Sequence, residues 1–190
     1  MIYLASASPR RQELLRQLGM TFEVIPSNLE EARAAGETPQ AYVVRVALDK
    51  ARHVALQVRA QGLASYPVLG ADTEVVLDGE VLGKPRDRAH AVAMLHRLQG
   101  RAHDVYTALA LIHDESERTV LSRSRVHLAP LTSEEIVKYW DTGEPADKAG
   151  AYAIQGYAAA FIERLEGSYS GVMGLPLYEL SQLLKASRFA

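Results

Sequence analysis

Four cations and two carboxylates stand where local structure alone gives them little reason to be: Arg10, Arg11, Lys50 and Lys84, with Glu30 and Asp72. Arg10 and Arg11 close the run Ser6-Ala7-Ser8-Pro9-Arg10-Arg11, which reads as a strand end entering a helix. Ser8 is placed to be its N-cap and Pro9 its first helical residue. Cations in a first helical turn face the positive end of the dipole, a mismatch of about 0.3–1 kcal/mol each. Beside free helix N–H groups they instead form a cradle for an anion, most naturally a phosphate; the plain alternative is two solvated arginines. Lys50 lies on the apolar stripe Val43, Val46, Ala47 and Val54, where it either snorkels to the rim or faces a site. Asp72 interrupts the apolar run that begins at Val68 and needs a partner, a metal, a cleft or a local turn to satisfy it.

Lys84 stands between Gly83 and Pro85, and the proline fixes the backbone just beyond it, aiming the ammonium toward a cleft. Its surroundings do not fit a phosphate loop of the Gly-x-x-x-x-Gly-Lys-Ser/Thr type. The pair Glu30-Glu31 offers a hard oxygen ligand for Mg²⁺, and Glu30 is taken as that ligand; adjacent loop glutamates are otherwise simply solvated. Cations beside carboxylates able to hold a divalent ion suit the triphosphate of a nucleotide. No Ser-His-Asp spacing or nucleophile elbow is visible, so covalent acyl transfer is unsupported.

The elements that must position these groups follow from periodicity and punctuation. The chain of 190 residues, 48% hydrophobic and 23% charged, has room for one sizeable core or one deeply cleft unit, and 1–190 reads as a single domain without linker or repeat. Strands are expected at 2–5, 21–26, 67–71, 73–77, 80–82, 103–113 and 118–128, with strand-like pieces at 151–154 and 158–165. Helices are expected over 9–18, 39–60, 88–99, 133–140 and 176–187, opened by Ser8, Thr38, Asp87 and a Thr132/Glu135 capping box. Asp78-Gly79 signals a hairpin. Hairpins mixed with crossovers predict a mixed α/β (α+β) sheet rather than a regular doubly wound one.

Composition excludes several classes of function. A formal net charge of −2 and the lack of a basic-aromatic stripe speak against nucleic acid as a partner. The absence of cysteine removes disulfides, thiolate metal sites and a cysteine nucleophile, and fits a reducing compartment. The six histidines show no helical ligand spacing. Without a signal pattern or an apolar run near the ~18 residues of a membrane span, the expectation is a cytoplasmic protein with no membrane partner.

The motifs Ser-Ala-Ser-Pro-Arg-Arg (6–11), Leu-Gly-Ala-Asp-Thr (69–73), Leu-Gly-Lys-Pro (82–85), Asp-Lys-Ala-Gly-Ala-Tyr-Ala-Ile-Gln-Gly (147–156) and Gly-Leu-Pro (174–176) together resemble the Maf family of nucleoside triphosphate pyrophosphatases over nearly the whole chain. The resemblance implies an elongated mixed sheet flanked by helices, with a deep central cleft similar to that of the inosine triphosphate pyrophosphatases, and a homodimer. It implies hydrolysis of a nucleoside triphosphate to monophosphate and pyrophosphate with Mg²⁺ or Mn²⁺. A sister group that looks specific for 7-methyl-GTP differs at three places: an aromatic residue before the two arginines, Ser-Asp-Gln in place of Ala71-Asp72-Thr73, and Ser-Glu-Gly in place of Ile154-Gln155-Gly156. This chain resembles the dTTP/UTP subgroup, with Arg11, Thr73 and Gln155 as specificity positions. A glutamine amide both donates and accepts, matching a pyrimidine O4/N3–H edge.

On that resemblance Asp72, Lys84, Lys50 and Glu30 are expected to be catalytic, and Glu30 and Asp72 to hold the metal. Ser8, Arg10, Arg11, Thr73 and Gln155 are expected to bind substrate. Tyr157 and Tyr169 either stack on a base or pack. Glu74 departs from the apolar residue expected there; by strand alternation it shares a face with Asp72, and it is expected to point to solvent. A nucleotide-binding regulator of septum formation or cell division, without turnover, is the competing reading.

Overall fold

The computed structural model describes residues 1–187. Strand β1 (Ile2–Leu4) runs through a short connection into helix α1 (Pro9–Gln17), and β2 (Phe22–Val24) precedes the long helix α2 (Pro39–Ala60). Strand β3 (Val68–Leu77) turns into β4 (Glu80–Leu82), and α3 (Arg88–Leu98) leads to the long hairpin of β5 (Ala102–His113) and β6 (Ser116–Leu128). After α4 (Ser133–Asp141) come 3-10 turns over Glu144–Asp147, Ala149–Ala151 and Tyr157–Phe161, then β7 (Ile162–Glu166), α5 (Tyr169–Met173) and α6 (Leu177–Ala186). Among the described residues the strands form one seven-stranded sheet ordered β2-β1-β3-β5-β6-β7, with β4 paired to the end of β3. Strand β1 runs parallel to β2 and β3, and the remaining pairs are antiparallel. This is the mixed α/β sheet expected from the sequence.

Local chemistry explains the joints. Thr38 and Asp87 accept from the N–H groups of Ala41 and His90, and Thr132 and Glu135 complete a capping box, each such cap contributing about 1 kcal/mol. Asp78 and Gly79 both adopt positive φ, 53° and 80°, as the type I′ hairpin turn demands.

The central strands β1, β3 and β5 are buried on both faces. On one lies α2, whose Val43, Ala47, Ala51 and Val54 pack on Tyr3, Val68, Val76 and Ala108. On the other, α1 and α6 cover Leu4, Leu69 and Leu109 at one end, and α3 and α4 cover Val75, Leu77 and Val126 at the other. Gly70 lets α2 come close: a Cβ there would stand 2.1 Å from the Ala47 carbonyl and 2.9 Å from the Ala51 Cβ. No side chain fits, and the helix is drawn down beside Asp72.

Two expectations change. The two pieces 67–71 and 73–77 are one continuous strand, Val68–Leu77, through Asp72, because the carboxylate finds a partner from α2 and so does not break the ladder. The pieces 151–154 and 158–165 are 3-10 turns and loop, with strand only from Ile162. Gly150 and Ala151 take φ of 68° and 58°, a left-handed bend that no strand can continue.

Candidate active site

One cleft of about 700 Å³ receives residues from nearly every element of the sheet's centre, including Ser8, Arg10, Arg11, Glu31, Lys50, Asp72, Thr73, Glu74, Lys84, Lys148 and Gln155. Its floor is β3. Alternation along this strand sends Asp72 and Glu74 to the α2 face and Thr73 to the opposite face.

Lys50 rises from the middle of α2, just where Gly70 brings the helix against the strand. Its Nζ lies 2.8 Å from Asp72 Oδ1 and 2.8 Å from Glu31 Oε1. Lys50 and Asp72 are 8% and 4% exposed, so the pair sits where Coulomb attraction is little screened. The second oxygen of Asp72, Oδ2, is buried without a partner. One oxygen is held by a lysine and the other is an unsatisfied acceptor at the floor of the cleft.

Glu74 corrects the expectation of a solvent-facing side chain. It is 7% exposed, with Oε2 buried and unpartnered, because β3 is a central strand covered by α2 on that face. Burial, then the nearby charges of Asp72 and Glu31, push its carboxyl up to about 8 against the pull of Lys50 and Lys84. Glu74 therefore keeps its proton through neutral pH. The phenol of Tyr42, on the same cleft, is raised to about 12, first by burial and then by Glu74, Asp72 and Glu31. In both groups burial acts first and the neighbouring carboxylates add to it.

The helix entrance is built differently from the expectation. Ser8 occupies the N-cap position of α1, yet its side chain makes no cap hydrogen bond, which leaves first-turn N–H groups open to an anion. Arg11 is locked: Nε donates to the Gly174 carbonyl (2.8 Å), Nη1 to Ser6 Oγ (3.0 Å) and Nη2 to Thr73 Oγ1 (3.2 Å). Each terminal nitrogen keeps one further N–H for a ligand. Arg10 Nε donates to the Met173 carbonyl at 3.3 Å. Burial lowers both guanidinium groups from their ordinary values, with Asp147 opposing at Arg10 and Asp72 at Arg11. Thr107 donates to the Gly171 carbonyl (2.7 Å) and lies 3.0 Å from Thr73 Oγ1. The arginines thus tie α1, β3 and the loop after α5 into one wall.

The other sequence-selected residues fall into place or out of it. Thr73, Lys84 and Gln155 all line the cleft, Lys84 and Gln155 with exposed side chains. Glu30 is exposed and is not on the cleft; its neighbour Glu31 is. The choice between adjacent residues in an irregular loop depends on backbone phase, which no periodicity reveals. Lys148, paired with Asp147, also reaches the cleft; its place in the Asp-Lys-Ala-Gly motif was the available signal. Tyr157 stacks on Tyr139 and meets Phe161 edge-on, with centroids 6.0 and 5.5 Å apart, so it packs outside the cleft. Tyr169 is half exposed and does not line it.

A family model for Maf-like proteins matches residues 1–187. The chain belongs to the Maf-like family. Among similar Maf-like proteins, one from Burkholderia pseudomallei (strain K96243), named dTTP/UTP pyrophosphatase, is 53% identical over 197 residues, covering 100% of this chain and 94% of the relative. One from Alkalilimnicola ehrlichii bearing the same name is 53% identical over 185 residues, covering 96% and 91%. A third so named, from Bordetella avium, is 49% identical over 193 residues, covering 100% and 96%.

Proposed function

We propose that this Maf-like protein is an enzyme that hydrolyses dTTP and UTP to the monophosphate and pyrophosphate. The observation that carries the mechanism is Asp72, held at Oδ1 by Lys50 and bare at Oδ2 inside a cleft lined with cations. Water attacks the α-phosphorus; its oxygen forms the new bond as the bond to the α,β-bridging oxygen breaks, and pyrophosphate leaves. Asp72 Oδ2 orients that water and takes up its proton. Lys84 and Lys148 neutralise charge on the leaving pyrophosphate, and the open N-terminus of α1, with Arg10 and Arg11, holds the phosphate chain. Phosphoryl chemistry of this kind rests on placement and charge neutralisation.

The residues fit a divalent metal. Among the described residues no group of three His, Cys, Asp or Glu side chains closes on one point, so an ion here takes one or two carboxylates and completes its shell with phosphate oxygens and water. That is how Mg²⁺ is ordinarily held beside nucleotides. Glu31, in place of the expected Glu30, would hold Mg²⁺ or Mn²⁺ beside Asp72, whose Oδ2 is kept for the water. When bound, the ion supplies Lewis-acid polarisation of the phosphate oxygens and a more acidic water.

Gln155, presented with Thr73 and Arg11 nearby, reads the pyrimidine edge. The proposal carries with it a cytoplasmic homodimer acting on free nucleotides rather than on nucleic acid or membrane; among the described residues no helix is long and apolar enough to cross a membrane. A regulator without turnover is less well supported, because a sensor has no use for a bare buried carboxylate beside phosphate-neutralising cations. The test is pyrophosphate release from dTTP, UTP, CTP, GTP and 7-methyl-GTP, with Mg²⁺, Mn²⁺ or EDTA. Metal-dependent release favouring dTTP and UTP is expected. Preference for 7-methyl-GTP overturns the substrate, and binding without release overturns the enzyme.

A further inference from the structure

Gln155 sits at the tip of a tight turn closed by the Gly156 N–H donating to the Ala153 carbonyl at 3.0 Å. No regular element supports this turn. Its backbone is pinned instead by two side chains from outside it. On the entering side, the Ala153 N–H donates to the Tyr139 hydroxyl oxygen at 3.1 Å. On the leaving side, the N–H groups of Tyr157 and Ala158 donate to Glu144 Oε2 (2.8 Å) and Oε1 (3.3 Å). The Tyr139 hydroxyl in turn donates to Glu144 Oε1 at 2.6 Å, which joins the anchors into a single clamp.

Three further observations show that the clamp is built for this turn. Tyr139 is fully buried on α4, its ring fixed edge-on to Phe161 with centroids 5.4 Å apart. A Cβ on Gly156 would stand 2.0 Å from Glu144 Oε2 and 2.4 Å from its Cδ, so the turn's backbone lies directly on the carboxylate and any side chain there would displace it. Finally, the carboxylate accepts the phenol and two backbone N–H groups together, and the bonds from Tyr139 and Tyr157, at 2.6 and 2.8 Å, are short charge-assisted ones of the stronger class.

We infer that Tyr139 and Glu144 are positioning residues for base recognition: they hold the Ala153–Gly156 turn so that the Gln155 amide meets the nucleotide base in one orientation. Neither side chain lines the cleft, so both act through Gln155. The inference rests on the reading of Gln155 as the base-recognising residue. A loosened turn leaves the phosphate machinery of β3 and α1 untouched and blurs the choice of base.

The experiment compares Tyr139→Phe and Glu144→Gln with Gln155→Ala, using kcat and KM for dTTP, UTP, CTP and GTP, melting temperature, and the affinity for inorganic tripolyphosphate, which has no base. The clamp variants are expected to lose about tenfold in kcat/KM for dTTP and UTP, as one good hydrogen bond is worth. Most of that loss should appear in KM; the preference over GTP should shrink, and tripolyphosphate affinity should stay unchanged. A parallel fall for every nucleotide, following the melting temperature with the preference intact, would reduce the clamp to a structural role. If Gln155→Ala leaves the preference unchanged, the reading of Gln155 fails. If Gln155→Ala alone lowers it, only the clamp fails. Amide exchange in the unaltered enzyme checks the clamp should a variant not fold: slow exchange at Ala153, Tyr157 and Ala158 is expected, and loop-like exchange there would overturn it.

Discussion

The two walls of the cleft are made rigid by opposite means. The wall of β3 and α2 is regular structure, and its reactive groups inherit their positions from the ladder and from Gly70, which admits the helix. Asp72 and Lys50 are placed by backbone periodicity before any side chain contributes. The wall of 143–158 has no ladder. It is a chain of 3-10 turns whose shape depends on the Tyr139 hydroxyl, the Glu144 carboxylate and a left-handed bend at Gly150 and Ala151. The groups proposed for bond-breaking lie mainly on the first wall and the amide proposed to choose the base on the second. Chemistry common to every triphosphate can stand on a fixed lattice, whereas recognition of one base stands on a loop that single substitutions can reshape.

Damage to the two walls should therefore look different. The largest effect is expected on the first. Asp72→Asn should lower kcat by about 10³-fold or more, while calorimetry shows dTTP still binding and circular dichroism shows the fold retained. Lys84→Ala should lower kcat by roughly 10²-fold, as loss of one preorganised charge does, with the preference for dTTP over GTP unmoved in steady-state assays. Glu31→Gln should weaken Mn²⁺ binding by about tenfold in a direct titration, whereas Glu30→Gln should leave it unchanged; equal effects would remove the distinction between the neighbours.

The smallest effect on activity belongs under the second wall. Tyr152 lines the cleft, and its hydroxyl lies 2.7 Å from Nε2 of His103 beneath it. Burial foremost lowers His103 to about 4 from an ordinary 6.5, so the folded protein keeps a neutral imidazole while the unfolded chain takes up a proton. Stability on this account is full above about pH 6.5, falls as pH drops through that value and levels off below about pH 4, a loss on the order of 3 kcal/mol. Melting temperature against pH should show this slope flattened in His103→Gln, without change in kcat at pH 8.

How far the sequence could be read follows the same division. Strand and helix on the first wall were legible because burial leaves a period: the α2 stripe singled out Lys50, and the interrupted apolar run singled out Asp72. The period also put Glu74 beside Asp72. What it did not reveal was that both faces of β3 are covered, a fact that depends on α2 returning across the sheet. On the second wall the reading failed where side chains decide the backbone: residues 151–154 carry strand-forming types, yet the bend at Gly150 and Ala151 turns them away. Glu144 carries no signal in the sequence, since the three hydrogen bonds of its carboxylate reach residues 5 to 14 positions distant. Nothing in the phase of that loop tells Glu30, which is off the cleft, from Glu31, which lines it.

The most direct test of the central claim is hydrolysis of dTTP in heavy-oxygen water, followed by mass spectrometry of both products. Attack on the α-phosphorus, with Asp72 guiding the water, predicts the label in the monophosphate and none in pyrophosphate. Label in pyrophosphate, with an unlabelled monophosphate, would place the attack on the β-phosphorus and contradict the arrangement described for the cleft.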